Sequence, residues 1–175
     1  MKYYLAGPVD FHPEERTWKD ELKKMCKENT GIILFDPDSF SFGTITREVS
    51  DYIHDVNMQA LNRADVLVVK WISKFKGVGT IIELYHAVQI GKPIVLITDM
   101  METSVYLNYI GNRSNVVSDL NGAYGVMLKF ENEKAKLREH HTLLRGIGGK
   151  LVDGGSVPLS SSLAGLSDEL CKAEA

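Results

Sequence analysis

Short, largely apolar segments that alternate with helical patterns constrain the fold of this chain more than any other feature of its sequence. Residues 2–6, 32–35, 66–69 and 93–98 are such segments. An apolar run of this length is typical of a strand that is buried on both faces of a parallel sheet. The alternation therefore predicts an α/β fold, in which helices cover both faces of a parallel sheet.

Helical patterns fill the intervals between these segments. Residues 14–27 and 46–64 repeat apolar side chains at spacings of three and four, and a further helix is predicted over residues 80–90, where Gly91 is a favourable stop. Beyond residue 99 the signal weakens. The elements predicted there are a weak helix over residues 103–111, short strands over 116–117 and 123–128, and a helix over 131–144.

These elements predict a doubly wound, flavodoxin- or Rossmann-like sheet of about five parallel strands with right-handed crossovers. In such sheets a ligand binds beyond the carboxyl ends of the strands, where the strand order reverses. The loops after the first and third strands, residues 7–11 and 74–83, are therefore the predicted binding region. We expect one domain over residues 1–150 and a C-terminal extension or tail over residues 151–175.

Composition and charge exclude several classes of protein. The 175 residues carry 20 basic and 23 acidic side chains, a net charge of −3, which disfavours a protein that coats a nucleic-acid polymer. Cys26 and Cys171 are too few for a disulfide framework, and no histidine or cysteine pair has metal-ligand spacing. The sequence has neither a membrane-spanning run nor a signal-peptide core. We therefore expect a cytoplasmic protein with no metal, cofactor or membrane partner.

The segment Gly77-Val78-Gly79-Thr80 is the sharpest local feature. Its two glycines let the backbone approach a ligand closely, and a helix that starts there offers N–H groups to a phosphate or carboxylate. A complete dinucleotide-binding fingerprint needs a third glycine, and a Walker loop needs a following Lys-Ser/Thr pair. Both are missing from this segment.

Several polar residues near this segment have two interpretations. On local sequence alone, Thr80 and Glu83 are best interpreted as a capping box, Thr-x-x-Glu, and the alternative for Glu83 is a catalytic carboxylate. Both place Glu83 in the first helical turn. Asp65 has the pattern of a solvated helix–strand junction. Lys76 has the pattern of a solvated loop residue, and the alternative is that it contacts an anionic substrate.

Three ordered blocks of residues carry a resemblance to a known family. The first is Tyr4-Leu5-Ala6-Gly7-Pro8, the second runs from Asn57 through Asp65 to Val69, and the third runs from Gly79-Thr80 through Glu83-Leu84 to Gly91-Lys92-Pro93-Ile94. In order and spacing these blocks resemble the nucleoside 2-deoxyribosyltransferase family and its nucleotide N-glycosidase relatives. The resemblance spans roughly residues 2–98.

This resemblance implies an enzyme of nucleotide salvage that cleaves or exchanges the N-glycosidic bond of a (deoxy)nucleoside or its 5′-monophosphate. It implies that Glu83 attacks the anomeric carbon to give a covalent glycosyl-enzyme, as in retaining glycosidases, and that Tyr4 orients Glu83. It also implies that the protein forms a homodimer or larger homo-oligomer. The molecule it binds would be a small nucleoside or nucleotide.

The expected site residues form two groups. The residues expected to be catalytic are Glu83, Tyr4, Asn57 and Asp55. The residues expected to bind the substrate are Gly7, Asp10, Phe11, Asp65, Lys76, Gly77, Gly79 and Thr80.

Two positions depart from the family pattern. Members usually carry Asp where this chain has Asn57, and an amide cannot deliver a proton at neutral pH, so Asp55 or Asp10 would take that role or the activity would change. Transferases of free nucleosides commonly place Asp before the glycine-threonine step to hold the 5′-hydroxyl, where this chain has Lys76-Gly77-Val78. A lysine there favours a 5′-phosphate.

Two other classes compete with this interpretation. A non-catalytic nucleotide-binding or sensing module on the same scaffold is favoured by Asn57. A different α/β enzyme that acts on phosphorylated sugars is the weaker alternative.

Overall fold

The computed structural model describes residues 1–7, 17–29, 31–39, 46–71, 77–99 and 105–152. The chain divides into two compact units, residues 1–133 and 134–175. The first unit holds the whole sheet, and the second is described only as the helical residues 134–152.

Five parallel strands form one sheet in the order β2-β1-β3-β4-β5. The strands are β1 (Lys2–Ala6), β2 (Ile33–Phe35), β3 (Val66–Trp71), β4 (Ile94–Thr98) and β5 (Asn115–Val117). The helices are α1 (Thr17–Cys26), α2 (Arg47–Arg63), α3 (Val78–Gln89), α4 (Val105–Gly111) and α5 (Leu120–Val152), with a 3₁₀ turn at Pro37–Ser39. The predicted α/β, doubly wound parallel sheet of five strands is confirmed.

The strand order reverses beside β1, because the chain leaves β1 for β2 on one side and returns to β3 on the other. This order is that of flavodoxin-like sheets, in which the β1/β3 position is the ligand-binding switch point. Tyr4 of β1 pairs in register with Leu67 of β3 at that point.

The two faces of the sheet bury separate apolar cores, because successive side chains of a strand point to opposite faces. On one face Tyr4 packs in a cluster with Leu67 and with Leu84 of α3, and α2 adds Leu61. On the other face Tyr3 packs in a cluster with side chains of α1 and of the start of α5, which are Trp18, Leu22, Ala123 and Met127. Every side chain in both clusters is buried.

The type of secondary structure predicted for one segment of this first unit is wrong. Residues 123–128, predicted to be a strand, belong to α5, and the predicted helix over residues 131–144 is part of the same element. Ala123 and Met127 stand one helical turn apart and are both fully buried against the sheet, so the apolar run covers a helix face. None of the helices in the described segments has the length and apolarity to cross a membrane.

Candidate active site

A hydrogen bond between Tyr4 and Glu83 lies between the sheet and α3. The phenol Oη of Tyr4 donates to Oε1 of Glu83 at 2.5 Å. Tyr4 is fully buried and Glu83 is 9% exposed. Thr80, Glu83, Leu84 and Ala87 form the buried stripe of α3, at the spacing that turns one helix face toward a sheet. The apolar packing of α3 therefore brings a carboxylate beneath the helix, against β1.

The start of α3 differs from the capping box that the sequence predicts. The helix begins at Val78, and its N-cap is Gly77, whose backbone is extended and whose cap has no side-chain hydrogen bond. Thr80 is therefore already inside the helix, and Glu83 is its sixth residue, in the second turn. A capping side chain must precede the first helical residue, so Thr80 cannot cap α3, and the carboxylate of Glu83 bonds to Tyr4 instead.

Burial raises the pKa of Glu83 to about 7. The hydrogen bond from Tyr4 and the positive charge of Lys19 oppose this rise, and the charge of Asp38 adds to it. Burial and the nearby charge of Glu83 raise the pKa of Tyr4, so its phenol stays protonated and remains a donor. The pair is therefore a carboxyl group that ionises near neutrality, held by a permanent hydrogen-bond donor.

A buried ion-pair cluster between α1 and the residues that follow β2 supplies the charges that act on Glu83. The ammonium of Lys19, 1% exposed, lies 3.1 Å from Asp36 and 2.5 Å from Asp38, and that of Lys23 lies 2.6 Å from Asp36. Burial opposes ionisation of Asp36, but its bonds with Lys23 and Lys19 hold its pKa below the usual value. The residue before it, Phe35, stacks on the Tyr4 ring with centroids 5.5 Å apart.

A pocket of about 340 Å³ opens between α2 and α3. Its described lining residues come from one face of α2 and from the first half of α3: Ser50, Ile53, His54, Asn57, Met58, Gly79, Ile82 and Glu83. Glu83 is the buried member of this set, and the others are half-buried or exposed. The carboxylate therefore forms the floor of the pocket.

The structure brings several residues expected from sequence to this one place. Glu83, Asn57 and Gly79 line the pocket, and Tyr4 holds Glu83 from below. Gly77 caps the same helix, and the buried Thr80 lies one turn before Glu83.

Gly7 follows β1 and packs against α1. A Cβ on Gly7 would stand 3.1 Å from the Trp18 indole, so a side chain there would require that ring to shift. Three other expected residues, Asp10, Phe11 and Lys76, lie outside the described residues.

Asp65 and Asp55 are not brought to the pocket. Asp65 precedes β3, so it lies at the amino end of the strand, where its Oδ2 accepts the backbone N–H of Lys2 at 2.8 Å. The carboxyl end of β3 faces the opposite edge of the sheet. Asp55 is exposed on α2 two residues before Asn57, about 200° away around the helix, and does not line the pocket.

Sequence reasoning missed other residues of the site. His54 is one of them, since Ser50, His54 and Asn57 have the spacing of one helix face. Because Asn57 was already expected in the site, its spacing from His54 on the same helix face was the signal that could have identified His54. Lys19 carried no comparable signal, because its partners follow β2 and become neighbours only through the parallel pairing of β1 with β2. Among the described residues, no group of three or more His, Cys, Asp or Glu side chains is placed to hold a metal ion.

Comparisons with known proteins identify a family. A model of the family described as nucleoside 2-deoxyribosyltransferase matches residues 3–140. The solved 2-deoxyribosyltransferase of Bacillus psychrosaccharolyticus is similar with a TM-score of 0.59 and 19% identity, over 70% of this chain and 90% of that one. A conserved protein from Enterococcus faecalis V583 is similar with a TM-score of 0.58 and 16% identity, over 76% of this chain and 98% of that one. These two likenesses show the fold, and no curated protein matches the sequence.

Proposed function

This chain belongs to the nucleoside 2-deoxyribosyltransferase family, and from that premise we propose that it breaks the N-glycosidic bond of a deoxynucleotide through a covalent glycosyl–Glu83 intermediate. The observation that carries the proposal is the Tyr4–Glu83 pair, a carboxylate that ionises near neutrality at the floor of a pocket. Family membership makes the chain an enzyme of this class and so disfavours the non-catalytic alternative.

Glu83 is proposed to act as the nucleophile. Oε1 accepts the hydrogen bond from Tyr4, which leaves Oε2 to attack the anomeric carbon of the sugar. As the bond from Oε2 to that carbon forms, the bond from the carbon to the base nitrogen breaks, and its electron pair leaves with the base. Attack requires the ionised carboxylate, so the reaction should accelerate as pH rises through about 7, the pKa of Glu83.

Tyr4 is proposed to orient the nucleophile. Its ring is fixed by burial and by stacking on Phe35, so its hydroxyl holds one carboxylate oxygen in a single direction. A nucleophile held in this way reaches the reacting carbon without a further loss of side-chain freedom. In the second half of the reaction, water or a second nucleobase takes the sugar and releases Glu83, which gives hydrolysis or exchange.

The 5′ group of the substrate is proposed to be a phosphate. Gly77, Val78 and Gly79 at the start of α3 carry no acidic side chain to bind a 5′-hydroxyl, and Gly79 lines the pocket. The first N–H groups of a helix have no partner within the helix and lie at its positive end, which favours an anion. Lys76, just before this turn in the sequence, supports the same preference.

The assembly is proposed to be a homo-oligomer. Val78, Ile81 and Tyr85 form a row of exposed apolar side chains on α3, with exposed fractions of 71%, 44% and 59%. A row of this kind is typical of a protein–protein interface. Light scattering coupled to size-exclusion chromatography measures the mass that tests this proposal.

The experiment that tests the function compares matched substrates and two variants. Wild-type protein is incubated with deoxynucleoside 5′-monophosphates and with the corresponding deoxynucleosides, and free base is measured by chromatography. We expect release from the monophosphates, no release by Glu83→Gln, and a glycosyl adduct in the intact mass of acid-quenched wild-type protein. Release only from unphosphorylated substrates would contradict the phosphate proposal, and an active Glu83→Gln would contradict the nucleophile.

The control variant is Glu131→Gln. Glu131 also accepts a tyrosine hydroxyl, that of Tyr3 at 3.0 Å, but on the opposite face of the sheet. We expect this variant to release base at the wild-type rate.

A further inference from the structure

The proposed reaction needs an acid for the departing base, and the pocket has few candidates. Among the residues that the structure describes, its polar lining side chains are Ser50, His54, Asn57 and Glu83. A serine hydroxyl and an asparagine amide donate hydrogen bonds but do not release a proton near neutrality. Imidazole does titrate in that range. Since Glu83 acts as the nucleophile, His54 is the remaining group in this lining that can deliver a proton.

The position of His54 fits that task. Displacement at the anomeric carbon places the leaving base on the side of the carbon opposite the nucleophile. Glu83 lies at the buried floor, so the base extends toward the mouth of the pocket, where the exposed side chain of His54 lies. His54 and Asn57 are three residues apart on α2 and therefore share one helix face. Ile53 and Met58 provide apolar surface beside them.

We propose that His54 is the general acid that protonates the departing nucleobase, a role that rests on the proposed glycosidic reaction of Glu83. The Nε2 or Nδ1 proton of the imidazolium passes to a ring nitrogen of the base as the bond from that base to the anomeric carbon breaks. The products of this step are neutral imidazole, neutral base and glycosyl–Glu83. In the second step neutral His54 takes the proton of the attacking water or incoming base, and Glu83 leaves as the carboxylate.

Asn57 has a complementary role in this arrangement. It lines the same wall as His54, and its amide can both donate and accept a hydrogen bond, so it can hold the edge of the base without changing charge. Among the described residues, α2 carries Asp51 three residues before His54 and Asp55 directly after it, and α3 contributes the carboxylate of Glu83 to the same pocket.

The test compares two leaving groups on one scaffold. The substrates are 2′-deoxyguanosine 5′-monophosphate and its N7-methyl derivative, whose base is already cationic and departs without a proton. Removing a general acid costs about 10²–10⁴-fold on a substrate that needs it. We therefore expect His54→Gln to slow guanine release in the first turnover, measured with enzyme in excess, by that factor. First-turnover release of 7-methylguanine should stay within about threefold of wild type, after subtraction of the uncatalysed rate, because breakdown of glycosyl–Glu83 is not measured in a single turnover.

The matched control is His86→Gln. His86 is a half-buried histidine on α3 that bonds to Asn62 and does not line the pocket, so its variant should release both bases at wild-type rates. Full guanine release by His54→Gln would overturn the role of His54. Equal loss on both substrates in the first turnover would also overturn it, because it would indicate a binding or structural role.

The same assay separates this inference from the function on which it rests. Glu83→Gln should lose both substrates, because both need the nucleophile. If Glu83→Gln cleaves both, the proposed function itself fails. If Glu83→Gln is inactive while His54→Gln keeps full activity, only the assignment of His54 fails.

Discussion

Tyr4 Oη donates a 2.5 Å hydrogen bond to Glu83 Oε1, and so joins the third residue of β1 to the second turn of α3. Its neighbour Tyr3 points to the opposite face, where its hydroxyl donates to the Met127 carbonyl at 3.1 Å and to Glu131. Two adjacent tyrosines, equally buried, therefore hold different carboxylates. Because the two tyrosines are matched in this way, comparing their phenylalanine variants measures what the Tyr4 hydroxyl contributes to base release.

Tyr4→Phe should reduce kcat/KM for base release by about 10–100-fold at neutral pH, the equivalent of one hydrogen bond to a charged group. The bond from Tyr4 lowers the pKa of Glu83, so its loss should move the acidic limb of the pH–kcat/KM profile to higher pH. Tyr3→Phe is the control and should leave the profile unchanged, and an identical shift in both variants would contradict a specific role for Tyr4.

Glu83→Gln should change how stability depends on pH. The pKa of Glu83 is raised from 4.5 to about 7 in the folded protein, so between these values the folded state binds more protons than the unfolded state. Stability from this group is therefore greatest below about pH 4.5 and is lost as pH rises through about 7. The full difference corresponds to about 3 kcal/mol.

Urea unfolding of wild type and Glu83→Gln measures this effect directly. The free energy of unfolding of the variant should rise relative to wild type by up to about 3 kcal/mol between acid and alkaline buffer, because Gln remains neutral. Glu131→Gln supplies the comparison for the carboxylate that accepts a tyrosine hydroxyl on the opposite face of the sheet. A constant difference between wild type and Glu83→Gln at all pH values would show that Glu83 ionises at its usual pKa.

Lys19→Met should raise the pKa of Glu83, because the charge of Lys19 lowers it. The acidic limb of the pH–rate profile should move upward, as in Tyr4→Phe. The variant also leaves Asp36 and Asp38 without this buried partner, at a cost of about 3–5 kcal/mol in unfolding free energy. Lys19→Arg retains the charge and tests whether that charge, rather than packing, determines the pH at which the acidic limb of the profile lies.

Lys23→Met is the matched control for that variant. Lys23 bonds to Asp36 at 2.6 Å, but its side chain is 37% exposed and it is not among the groups that shift Glu83. We expect a smaller loss of stability and no movement of the acidic limb. A limb that moves equally in both lysine variants would mean that the ion-pair cluster acts through local structure.

Asp65→Ala should destabilise the fold and leave catalysis intact. Its carboxylate holds the backbone N–H of Lys2 at the amino end of the sheet, far along the strand from the carboxyl edge. Loss of this bond should cost about 1 kcal/mol, which lowers Tm by roughly 2–4 °C. KM should not change, whereas a raised KM at unchanged Tm would support the substrate-binding role expected from sequence.

Asp55→Ala, on the exposed side of α2, should alter neither stability nor activity by a measurable amount. Loss of base release in this variant would support the catalytic role that the sequence assigned to Asp55.

The strands and the switch point could be predicted because strands such as residues 66–69 are buried on both faces. A strand buried in this way consists of consecutive apolar residues, which the sequence shows directly. Residues 123–128 show the limit of that rule, since an apolar run of six also forms a helix when its wider surroundings are helical. Thr80 shows a second limit. The pattern Thr-x-x-Glu is local, whereas the bond that determines the role of Glu83 joins residues 79 positions apart.

Asn57→Asp should make His54 dispensable. The new carboxyl group would line the same pocket as Glu83, and two nearby carboxylates raise the pKa of at least one of them, so one can remain protonated near neutrality. Asn57→Asp combined with His54→Gln should therefore recover at least about tenfold of the guanine release that His54→Gln loses, chiefly on the acidic side of the profile. The control is Val56→Asp combined with His54→Gln. Val56 is half-buried on α2 but does not line the pocket, so this combination should give no recovery. If the Asn57→Asp combination stays as slow as His54→Gln, the α2 wall of the pocket does not face the departing base.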